Sequence, residues 1–289
     1  MTTAIVTGGT KGIGAVTAKK LAERGFRVIV TGRSQEQADA AAKKIAGEVP
    51  GANVSGRALD VSSLDSVRAF ASRFEGPLEL LVNNAGNMSL DEEAVLTKDG
   101  IEATLATNAV GPFLLTRLLL PNLRAAAHAR VVNVGSRAHL PKSGYGAEVN
   151  WDWENMKGEK SYEPMTFYKN SKLALMWLTY ELHRRLAGSS VTVNAVCPGF
   201  VPETVAEHAK GVRYFLFKHV LTHMPNAHTA EEAADNTVFV ATDPEYATRG
   251  GAFVGEKKEV SSSEESYDEA KATRFWKIAC ELVGQPETL

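Results

Sequence analysis

The side chains of Tyr168 and Lys172 lie four residues apart in a stretch with helical periodicity. On a helix, this spacing places both side chains on one face. A tyrosine hydroxyl can protonate a carbonyl oxygen as the carbonyl is reduced, but its usual pKa, near about 10, is high for that role. A neighbouring ammonium favours the phenolate, so the spacing predicts that Lys172 lowers the pKa of Tyr168. Taken alone, such a pair is more often ordinary packing and surface.

Three more polar side chains stand where predicted elements begin or end. Asn84 lies in the stretch Asn83–Gly86 at the end of an apolar run, and Asn108 lies at or just before a predicted helix. Ser136 follows another apolar run and is predicted to hydrogen-bond the substrate oxygen and set its angle to the hydride. Each asparagine is also compatible with an ordinary strand-end or helix hydrogen bond, so only the whole set in this order is specific.

A glycine-rich turn follows the first apolar run of the chain, Ala4–Val6. The segment Thr7–Gly14 has the spacing Gly-x-x-x-Gly-x-Gly and precedes a helix-compatible stretch, Ala15–Arg24. A strand, turn and helix in this order aim backbone N–H groups and a helix N-terminus at a phosphate. Glycine is needed because a Cβ would keep a pyrophosphate off the backbone. The residues predicted to contact a dinucleotide here are Gly8, Thr10, Lys11, Gly12, Ile13 and Gly14.

The residue after the second predicted strand indicates which nicotinamide cofactor is bound. A carboxylate there favours NAD, whereas an arginine favours the 2′-phosphate of NADP. Arg33 lies there, 19 residues after Gly14, and no carboxylate follows it until Glu36. Lys11 adds a second cation on the same side, and cations of this kind pair well with phosphate. The sequence therefore predicts NADP(H), although both cations are also compatible with solvated surface charges.

Strand-like and helix-like segments alternate as far as Val196. The predicted strands are Ala4–Thr7, Arg27–Thr31, Asn53–Ala58, Leu78–Asn83, Arg130–Val134 and Val191–Val196. The predicted helices are Ala15–Arg24, Gln35–Ala46, Leu64–Phe74, Gly111–Ala127 and Thr166–Leu186. Most of these strands are apolar with little alternation, as expected when helices cover both faces of a parallel sheet. We therefore predict an α/β fold, a doubly wound parallel sheet (Rossmann fold), forming a single domain over residues 1–289.

Two segments interrupt this alternation. Gly144–Pro164 contains Trp151 and Trp153 without a clear period and is predicted to be an insertion before the next helix. The polar run Ser261–Ser266 is predicted to be a solvated loop, followed by a helix-like stretch from Tyr267 to Leu282.

The stretch 199–228 is predicted to be a lid over the substrate. Its apolar side chains suit a hydrophobic substrate, although any one of them is equally compatible with a helix that packs on the core. These side chains are Val205, Val212, Tyr214, Phe215, Phe217, Leu221 and Met224.

Composition narrows the choice of partners and compartment. The net charge of -2 and the pI near 6.4 predict no nucleic-acid partner. No apolar stretch reaches the roughly 18 residues of a membrane span, and the first strand begins too early to leave room for a signal peptide. The two cysteines, Cys197 and Cys280, have no metal-ligand spacing, and His219 and His223 lack a third ligand. The sequence therefore predicts a cytoplasmic protein without an integral membrane segment or a metal site.

Together these features resemble the short-chain dehydrogenase/reductase family. The resemblance covers essentially residues 3–284 and rests on Thr7–Gly14, Asn83–Gly86 and the set Asn108, Ser136, Tyr168 and Lys172. It implies that Tyr168 is the acid/base, that Lys172 lowers its pKa and reaches the nicotinamide ribose, that Ser136 orients the carbonyl, and that Asn108 holds a proton-relay water. The further cofactor contacts that it implies are Asp60 and Val61 at the adenine, Asn84, Ala85, Gly86, Tyr168, Lys172, and Pro198, Gly199, Val201 and Thr204 near the nicotinamide.

One departure from the pattern of simple family members indicates which branch of the family the chain resembles. Tyr168 comes 32 residues after Ser136, a longer separation than in simple members of the family, and the extra length is the segment with the two tryptophans. This insertion is similar to those of the retinol-dehydrogenase-like and carbonyl-reductase-like branches, although we expect no N-terminal membrane anchor of the kind that many retinol dehydrogenases have. An insertion there is expected to cover the helix that simple members use in their dimer interface. We therefore expect a monomer or a non-standard dimer rather than a tetramer.

The predicted function is an NADPH-dependent carbonyl reductase or alcohol dehydrogenase acting on an apolar ketone, aldehyde or alcohol. A rival from a different class is a non-catalytic NADP(H)-binding redox sensor, which would have no need of Tyr168 and Lys172. A sugar-nucleotide epimerase or dehydratase is a third reading, but the glycine spacing of the loop does not match it. Ser136 also lacks the Gly-x-Ser-x-Gly turn of a hydrolase nucleophile.

Overall fold

One mostly parallel sheet forms the centre of the protein. The computed structural model describes residues 2–141, 149–206, 214–224 and 227–289, except the side chains of residues 217 and 218. The strands are β1 Thr3–Val6, β2 Arg27–Gly32, β3 Val54–Ala58, β4 Leu80–Asn83, β5 Ala129–Val134, β6 Val191–Cys197, β7 Phe253–Gly255 and β8 Lys258–Glu259. Their order is β3-β2-β1-β4-β5-β6-β7-β8, and only β8 runs antiparallel to its neighbour. The predicted doubly wound sheet is confirmed.

Helices cover both faces of this sheet. The α-helices are α1 Gly12–Glu23, α2 Gln35–Glu48, α3 Leu64–Ala71, α4 Ala103–Leu105, α5 Gly111–Leu118, α6 Leu120–Arg124, α7 Pro164–Arg185, α8 Pro202–Ala206, α9 Ala230–Thr242 and α10 Glu269–Val283. Short π-helical segments span Ala106–Val110 and Leu216–Val220, and 3₁₀ turns span Arg137–His139, Leu221–His223, Pro244–Ala247 and Glu264–Tyr267. Within the described ranges, no helix is both long and apolar enough to cross a membrane.

Alternate residues of each buried strand pack into two separate hydrophobic cores, one on each face of the sheet. Ile5 of β1 packs in the core under α3, α5, α7 and α10, whereas its neighbours Ala4 and Val6 pack in the core under α1, α2 and α9. The same division separates Leu81 from Val82 on β4. Successive side chains of a strand point to opposite faces, so a strand that is apolar throughout needs cover on both. This is why the strands lack the alternation of a half-exposed sheet.

Several predicted boundaries differ from the structure. The predicted helix Gly111–Ala127 is divided into α5 and α6 at Leu119, where Pro121 enters the first turn of α6 and cannot donate a backbone hydrogen bond. Strands β7 and β8 were not predicted, because each is very short. They are joined by Glu256 and Lys257, both with positive φ, in a tight turn that non-glycine residues rarely form.

The described part of the insertion covers α7 with aromatic side chains. Trp151 packs edge-on against Trp177 of α7 and Phe275 of α10, with centroid separations of 5.0 and 5.2 Å. Trp153 stacks on Trp177 with an interplanar angle of 11°. Residues 144–148 of the predicted insertion lie outside the described part of the chain. A cavity of about 230 Å³ lies between the insertion and the start of α7, on a face of the helix away from Tyr168.

The serine-rich run before α10 is buried, so the prediction of a solvated loop is wrong. Ser262, Ser263 and Ser266 have relative exposures of 8%, 3% and 1%. The side chain of Ser263 accepts from the backbone N–H of Ser266, and the Ser266 hydroxyl donates to the carbonyl of Ser263. These local bonds let a polar sequence fold into a compact turn against the protein.

The C-terminal segment is fastened to the core by a buried arginine. Arg117 donates hydrogen bonds to the carbonyl oxygens of Pro286 and Thr288, at 3.0 and 2.7 Å. Its guanidinium carbon also lies 5.2 Å from the ring centroid of Trp276 and 5.6 Å from that of Phe113. A buried cation held in this way stabilises the fold only while all its partners remain in place.

We expect Arg117→Ala to lower the free energy of unfolding by about 3 kcal/mol, because it removes buried charge-assisted hydrogen bonds and leaves a cavity. Denaturant unfolding measures the change. The matched control is Arg274→Ala, which removes an exposed cation 4.1 Å from the Trp153 centroid and should cost less than about 1 kcal/mol. Equal losses in the two variants would contradict the assigned role of Arg117.

Candidate active site

The glycine-rich loop has the backbone geometry of a phosphate site. Gly8 and Gly12 have φ values of 61° and 53°, which side-chain-bearing residues rarely adopt. A Cβ on Gly14 would collide with the carbonyl oxygen of Gly8. Helix α1 begins at Gly12 without a side-chain acceptor from its N-cap, Lys11, whereas α2 and α3 are capped by serine hydroxyls. The first N–H groups of α1 therefore suit an anion, as predicted from the sequence.

The predicted residue Asn84 holds this loop in place. Its side-chain amide donates to the carbonyls of Thr7 and Gly8, at 2.8 and 3.3 Å. In return, the Thr7 hydroxyl accepts from the backbone N–H groups of Asn84 and Ala85, at 2.9 and 3.0 Å. Gly86, two residues after Asn84, is exposed to solvent. Thr7 belongs to the predicted motif but was not singled out as a site residue, because its contacts depend on β1 and β4 being neighbours.

The two other predicted cofactor segments also lie at this edge of the sheet. Thr204 approaches the phosphate loop, since a Cβ on Gly12 would lie 3.2 Å from its methyl group. Its hydroxyl donates to the carbonyl of Val201, and Gly199 has a positive φ of 83° in the turn that Pro198 precedes. Asp60 accepts from the hydroxyl of Ser62 at 2.7 Å, while its neighbour Val61 is buried. Thr10 packs on Gly32, whereas Lys11, Ile13 and Arg33 are exposed or partly exposed.

Ser136, Tyr168 and Lys172 meet where β5 ends beside α7. The side chain of Ser136 lies close enough to the Tyr168 hydroxyl to hold the Tyr168 pKa below the value that burial alone would give. The ammonium of Lys172 lies 5.9 Å from the centroid of the Tyr168 ring and donates to the carbonyl of Val134 at 2.9 Å. The structure therefore brings together the three side chains that the sequence predicts to take part in carbonyl reduction.

Burial dominates the acid–base properties of this group. It raises the pKa of Tyr168, and the hydrogen bond with Ser136 opposes that rise in part. It also lowers the pKa of Lys172 to about 8. Both groups lose solvation, which penalises phenolate and ammonium alike, so the pKa of Tyr168 stands above its ordinary value in the protein alone. The predicted contribution of Lys172 in the opposite direction stays a prediction.

Asn108 joins this group through a π-helical turn. That turn, Ala106–Val110, lies between α4 and α5. The Asn108 amide donates to the Ser171 hydroxyl at 2.9 Å and to the Asn87 carbonyl at 2.8 Å, and its oxygen accepts from the backbone of Asn87. A Cβ on Gly86 would lie 3.5 Å from the Asn108 oxygen and 3.9 Å from the Lys172 nitrogen. Asn108 therefore fixes the loop after β4 against α7.

A buried histidine, His139, lies just after the end of β5 and was not predicted to belong to the site. His139 contacts the backbone carbonyl of Ser136 through Nδ1 and the Ser262 hydroxyl through Nε2, the latter at 2.7 Å. Burial lowers its pKa to about 4, so its ring is neutral at neutral pH. The only sequence signal was its position three residues after Ser136.

The described part of the predicted lid presents apolar side chains to solvent. Tyr214, Phe215, Leu216, Val220 and Met224 are between 39% and 60% exposed. Packing on the core is therefore wrong for Tyr214, Phe215 and Met224, whereas Val205 and Leu221 are half-buried. Val212 and the side chain of Phe217 lie outside the described residues.

Among the described residues of the lid, the two histidines singled out from the sequence do not form part of a metal site. His219 and His223 are both exposed. In the part of the chain that the structure describes, no group of three or more His, Cys, Asp and Glu side chains is arranged to hold a metal ion.

The arrangement of the phosphate loop, the sheet and the four side chains Asn108, Ser136, Tyr168 and Lys172 matches a known family. The family model described as short chain dehydrogenase matches residues 2–147 and 154–212. This chain belongs to the short-chain dehydrogenase family. It is 36% identical to human retinol dehydrogenase 13 over 98% of the chain and 84% of that relative. It is 37% identical to human polyprenol dehydrogenase over 97% of the chain and 84% of that relative.

Solved structures of the family have the same fold. An uncharacterised protein from Mycobacterium paratuberculosis has a TM-score of 0.79 and 33% identity, covering 100% of this dehydrogenase and 96% of that chain. An actinorhodin polyketide ketoreductase crystallised with NADPH has a TM-score of 0.67 and 25% identity, covering 88% and 95%. The protein is therefore an oxidoreductase of the retinol-dehydrogenase-like branch, acting on a CH–OH or C=O group, as predicted.

We expect carbonyl reduction to slow as the pH rises through about 8, where Lys172 loses its proton. Reduction needs a protonated Tyr168 beside a charged ammonium, so the rate should fall about ten-fold per pH unit above that point. The measurement is a pH profile of kcat with saturating cofactor. In Lys172→Arg the guanidinium stays charged, so the fall should move to higher pH; an unmoved profile would show that another group titrates.

Proposed function

We propose that this dehydrogenase transfers a hydride between NADP(H) and an apolar ketone or aldehyde, or the corresponding alcohol, with Tyr168 as general acid/base. The observation that carries the proposal is the meeting of Ser136, Tyr168 and the buried ammonium of Lys172 where β5 ends beside α7. This group lies at the same sheet edge as the phosphate loop. A substrate oxygen placed between the two hydroxyls would meet a donor that orients it and a donor that protonates it.

The protein's own residues divide the work. Ser136 donates to the substrate oxygen and fixes its position, and Tyr168 gives that oxygen its proton during reduction or takes it during oxidation. Lys172 holds positive charge beside the phenol, which stabilises the phenolate left when the proton has moved. When bound, the nicotinamide cofactor supplies or accepts the hydride. Asn108 holds the loop after β4 against α7, which fixes the position of that loop beside the site.

NADP(H) is the cofactor that the cation pattern favours. Arg33 is exposed directly after β2, and Lys11 is exposed at the N-cap of α1. Strand β2 lies next to β1, so both residues face the region where an adenosine ribose meets the loop. Support also comes from the ketoreductase neighbour, whose structure contains NADPH.

An apolar substrate is favoured by the chemistry of the lid. The side chains of Tyr214, Phe215, Leu216, Val220 and Met224 offer an apolar surface, in a chain whose other large hydrophobic residues are mostly buried. The related retinol and polyprenol dehydrogenases are named for alcohols of low polarity. We infer a substrate with an extended apolar body and one terminal oxygen.

The covered helix α7 supports a monomer or a non-standard dimer, and the cytoplasm stays the compartment that we propose from the sequence. Trp151, Trp153 and α10 occupy the face of α7 that simple family members use for association. Size-exclusion chromatography with light scattering tests the assembly, and a tetramer would overturn it. Fractionation of cells that express the chain tests the compartment.

Tyr168→Phe is the decisive variant for the reaction. It removes only the hydroxyl, so we expect kcat to fall by about 10²–10⁴-fold while the Kd for NADPH stays unchanged. NADPH oxidation is followed by absorbance against long-chain and polycyclic ketones and aldehydes. Wild-type turnover that survives in Tyr168→Phe would refute the assigned role. Tight NADPH binding with no turnover across the panel would point instead to a cofactor sensor.

Arg33→Ala tests the cofactor. We expect its preference for NADPH over NADH to fall by about ten-fold or more, because a charge-assisted contact to the 2′-phosphate is lost. The matched control, Arg27→Ala, removes an exposed arginine at the opposite end of the same strand and should leave the ratio of the two kcat/KM values unchanged. A wild-type preference for NADH would refute NADP(H).

A further inference from the structure

His139 is a buried titratable side chain to which the reaction assigns no role. It lies in the 3₁₀ turn that follows Ser136 and is 1% exposed. Its ring packs edge-on against Phe253 of β7, with centroids 5.3 Å apart. Packing alone would be met by an apolar ring, yet both nitrogens are engaged by polar partners.

Those partners fix the tautomer of the imidazole. The Ser136 carbonyl can only accept, so Nδ1 of His139 carries the proton and donates to it. Nε2 is then an acceptor for the Ser262 hydroxyl at 2.7 Å, with the Ser263 N–H further away at 3.4 Å. A lowered pKa agrees with this neutral, directional state. The ring is therefore a bridge with a defined donor end and a defined acceptor end.

The acceptor end reaches a segment far along the chain. The hydroxyl of Ser262 is also 2.7 Å from that of Ser266, and the Ser262 N–H donates to the Tyr267 hydroxyl at 2.9 Å. Because the Ser262 hydroxyl gives its proton to Nε2, the single proton of the Ser266 hydroxyl is shared between two acceptors, the Ser262 oxygen and the Ser263 carbonyl at 2.6 Å. These bonds make Ser261–Tyr267 a preorganised platform beneath His139 rather than a loose connection to α10.

The donor nitrogen of His139, Nδ1, holds the backbone of Ser136, whose hydroxyl must be placed accurately against Tyr168. Lys172 fixes the carbonyl of Val134, and the N–H of Gly135 donates to Val196 of β6 at 2.8 Å. Beyond those two residues the sheet ladder ends, so the backbone of Ser136 needs a tether of its own. His139 supplies that tether at the Ser136 carbonyl, while the Ser136 hydroxyl oxygen accepts from the Ala138 N–H at 3.1 Å and keeps its own proton for Tyr168.

We infer that His139 is a positioning residue for hydride transfer, which holds the Ser136 hydroxyl against Tyr168 and is itself oriented by Ser262. The inference rests on the proposed function, because it presupposes that Ser136 orients the reacting oxygen. It gives the serine-rich segment before α10 a part in the reaction, although that segment touches neither tyrosine nor lysine of the pair.

Two amide substitutions test the two nitrogens of the His139 imidazole one at a time. The amide of His139→Asn is placed like Nδ1 and keeps a donor for Ser136, whereas that of His139→Gln is placed like Nε2 and keeps only the Ser262 side. We expect kcat to stay within about three-fold in His139→Asn and to fall about ten-fold in His139→Gln, the effect of about one lost hydrogen bond. KM and the Kd for NADPH should be unchanged in both. Equal kcat in the two variants, or a loss matched by the folded fraction that NADPH titration reports, would overturn the inference.

Ser262→Ala tests the tether from its far end. Removal of this hydroxyl frees Nε2 and should lower kcat about three-fold or more without a change in KM. The control is Ser190→Ala, which removes a partly buried hydroxyl bonded to Ala126 at the other end of β6 and should leave kcat unchanged. An unchanged kcat in Ser262→Ala would also overturn the inference.

A readout without substrate keeps this test separate from the proposed reaction. The bond with Ser136 lowers the pKa of Tyr168, so a displaced serine should raise it. Alkaline absorbance titration of each variant, minus that of its Tyr168→Phe counterpart, isolates this one phenol. A raised value in His139→Gln but not in His139→Asn supports the tether even if no apolar carbonyl is reduced, and an equal value in both refutes it.

Discussion

The buried ammonium of Lys172 is the interaction around which the reactive end of the sheet is organised. Removal of an ammonium from water costs several kcal/mol unless neighbouring groups compensate for the lost hydration. Here the compensation comes from the carbonyl of Val134 and from the Tyr168 ring, so the charge ties β5 to α7 at one point. A Cβ on Gly86 would be in ordinary van der Waals contact with the ammonium and with the Asn108 oxygen, so the loop after β4 lies beside the same charge.

Beneath that charge, polar side chains join the central strands where apolar packing alone would leave their register unspecified. The amide of Asn83 donates to Asn133 at 2.8 Å, and Asn133 donates in turn to the Thr179 hydroxyl at 2.9 Å, which links β4, β5 and α7. On the other side, Asn84 joins β4 to the phosphate loop after β1. Strands β1 and β4 are neighbours although the chain visits two other strands between them. The cofactor loop and the proton donor are therefore held by one continuous polar layer.

The sequence was sufficient for the first six strands of the sheet, the phosphate loop and the grouping of Ser136, Tyr168 and Lys172, because each has a clear local signature. It was insufficient where long-range burial changes the meaning of a local pattern. Ser261–Ser266 is polar in composition, yet its hydroxyls satisfy one another and allow it to be buried. His139 carries no motif, and its role depends on Ser262, whose approach no local pattern predicts. The shift in the pKa of Tyr168 likewise depends on solvent exclusion, which residue spacing does not report.

The buried C-terminal contacts also bear on the order in which the protein forms. His139 and Ser262 are 123 positions apart, and Arg117 is 171 positions from the Thr288 carbonyl that it binds. Contacts of such separation form late, since much chain entropy must be lost before they contribute. During synthesis, Ser136 emerges long before Ser262, so its tether through His139 can form only once most of the chain has been made. The position of Ser136 is therefore among the last features of the site to be fixed.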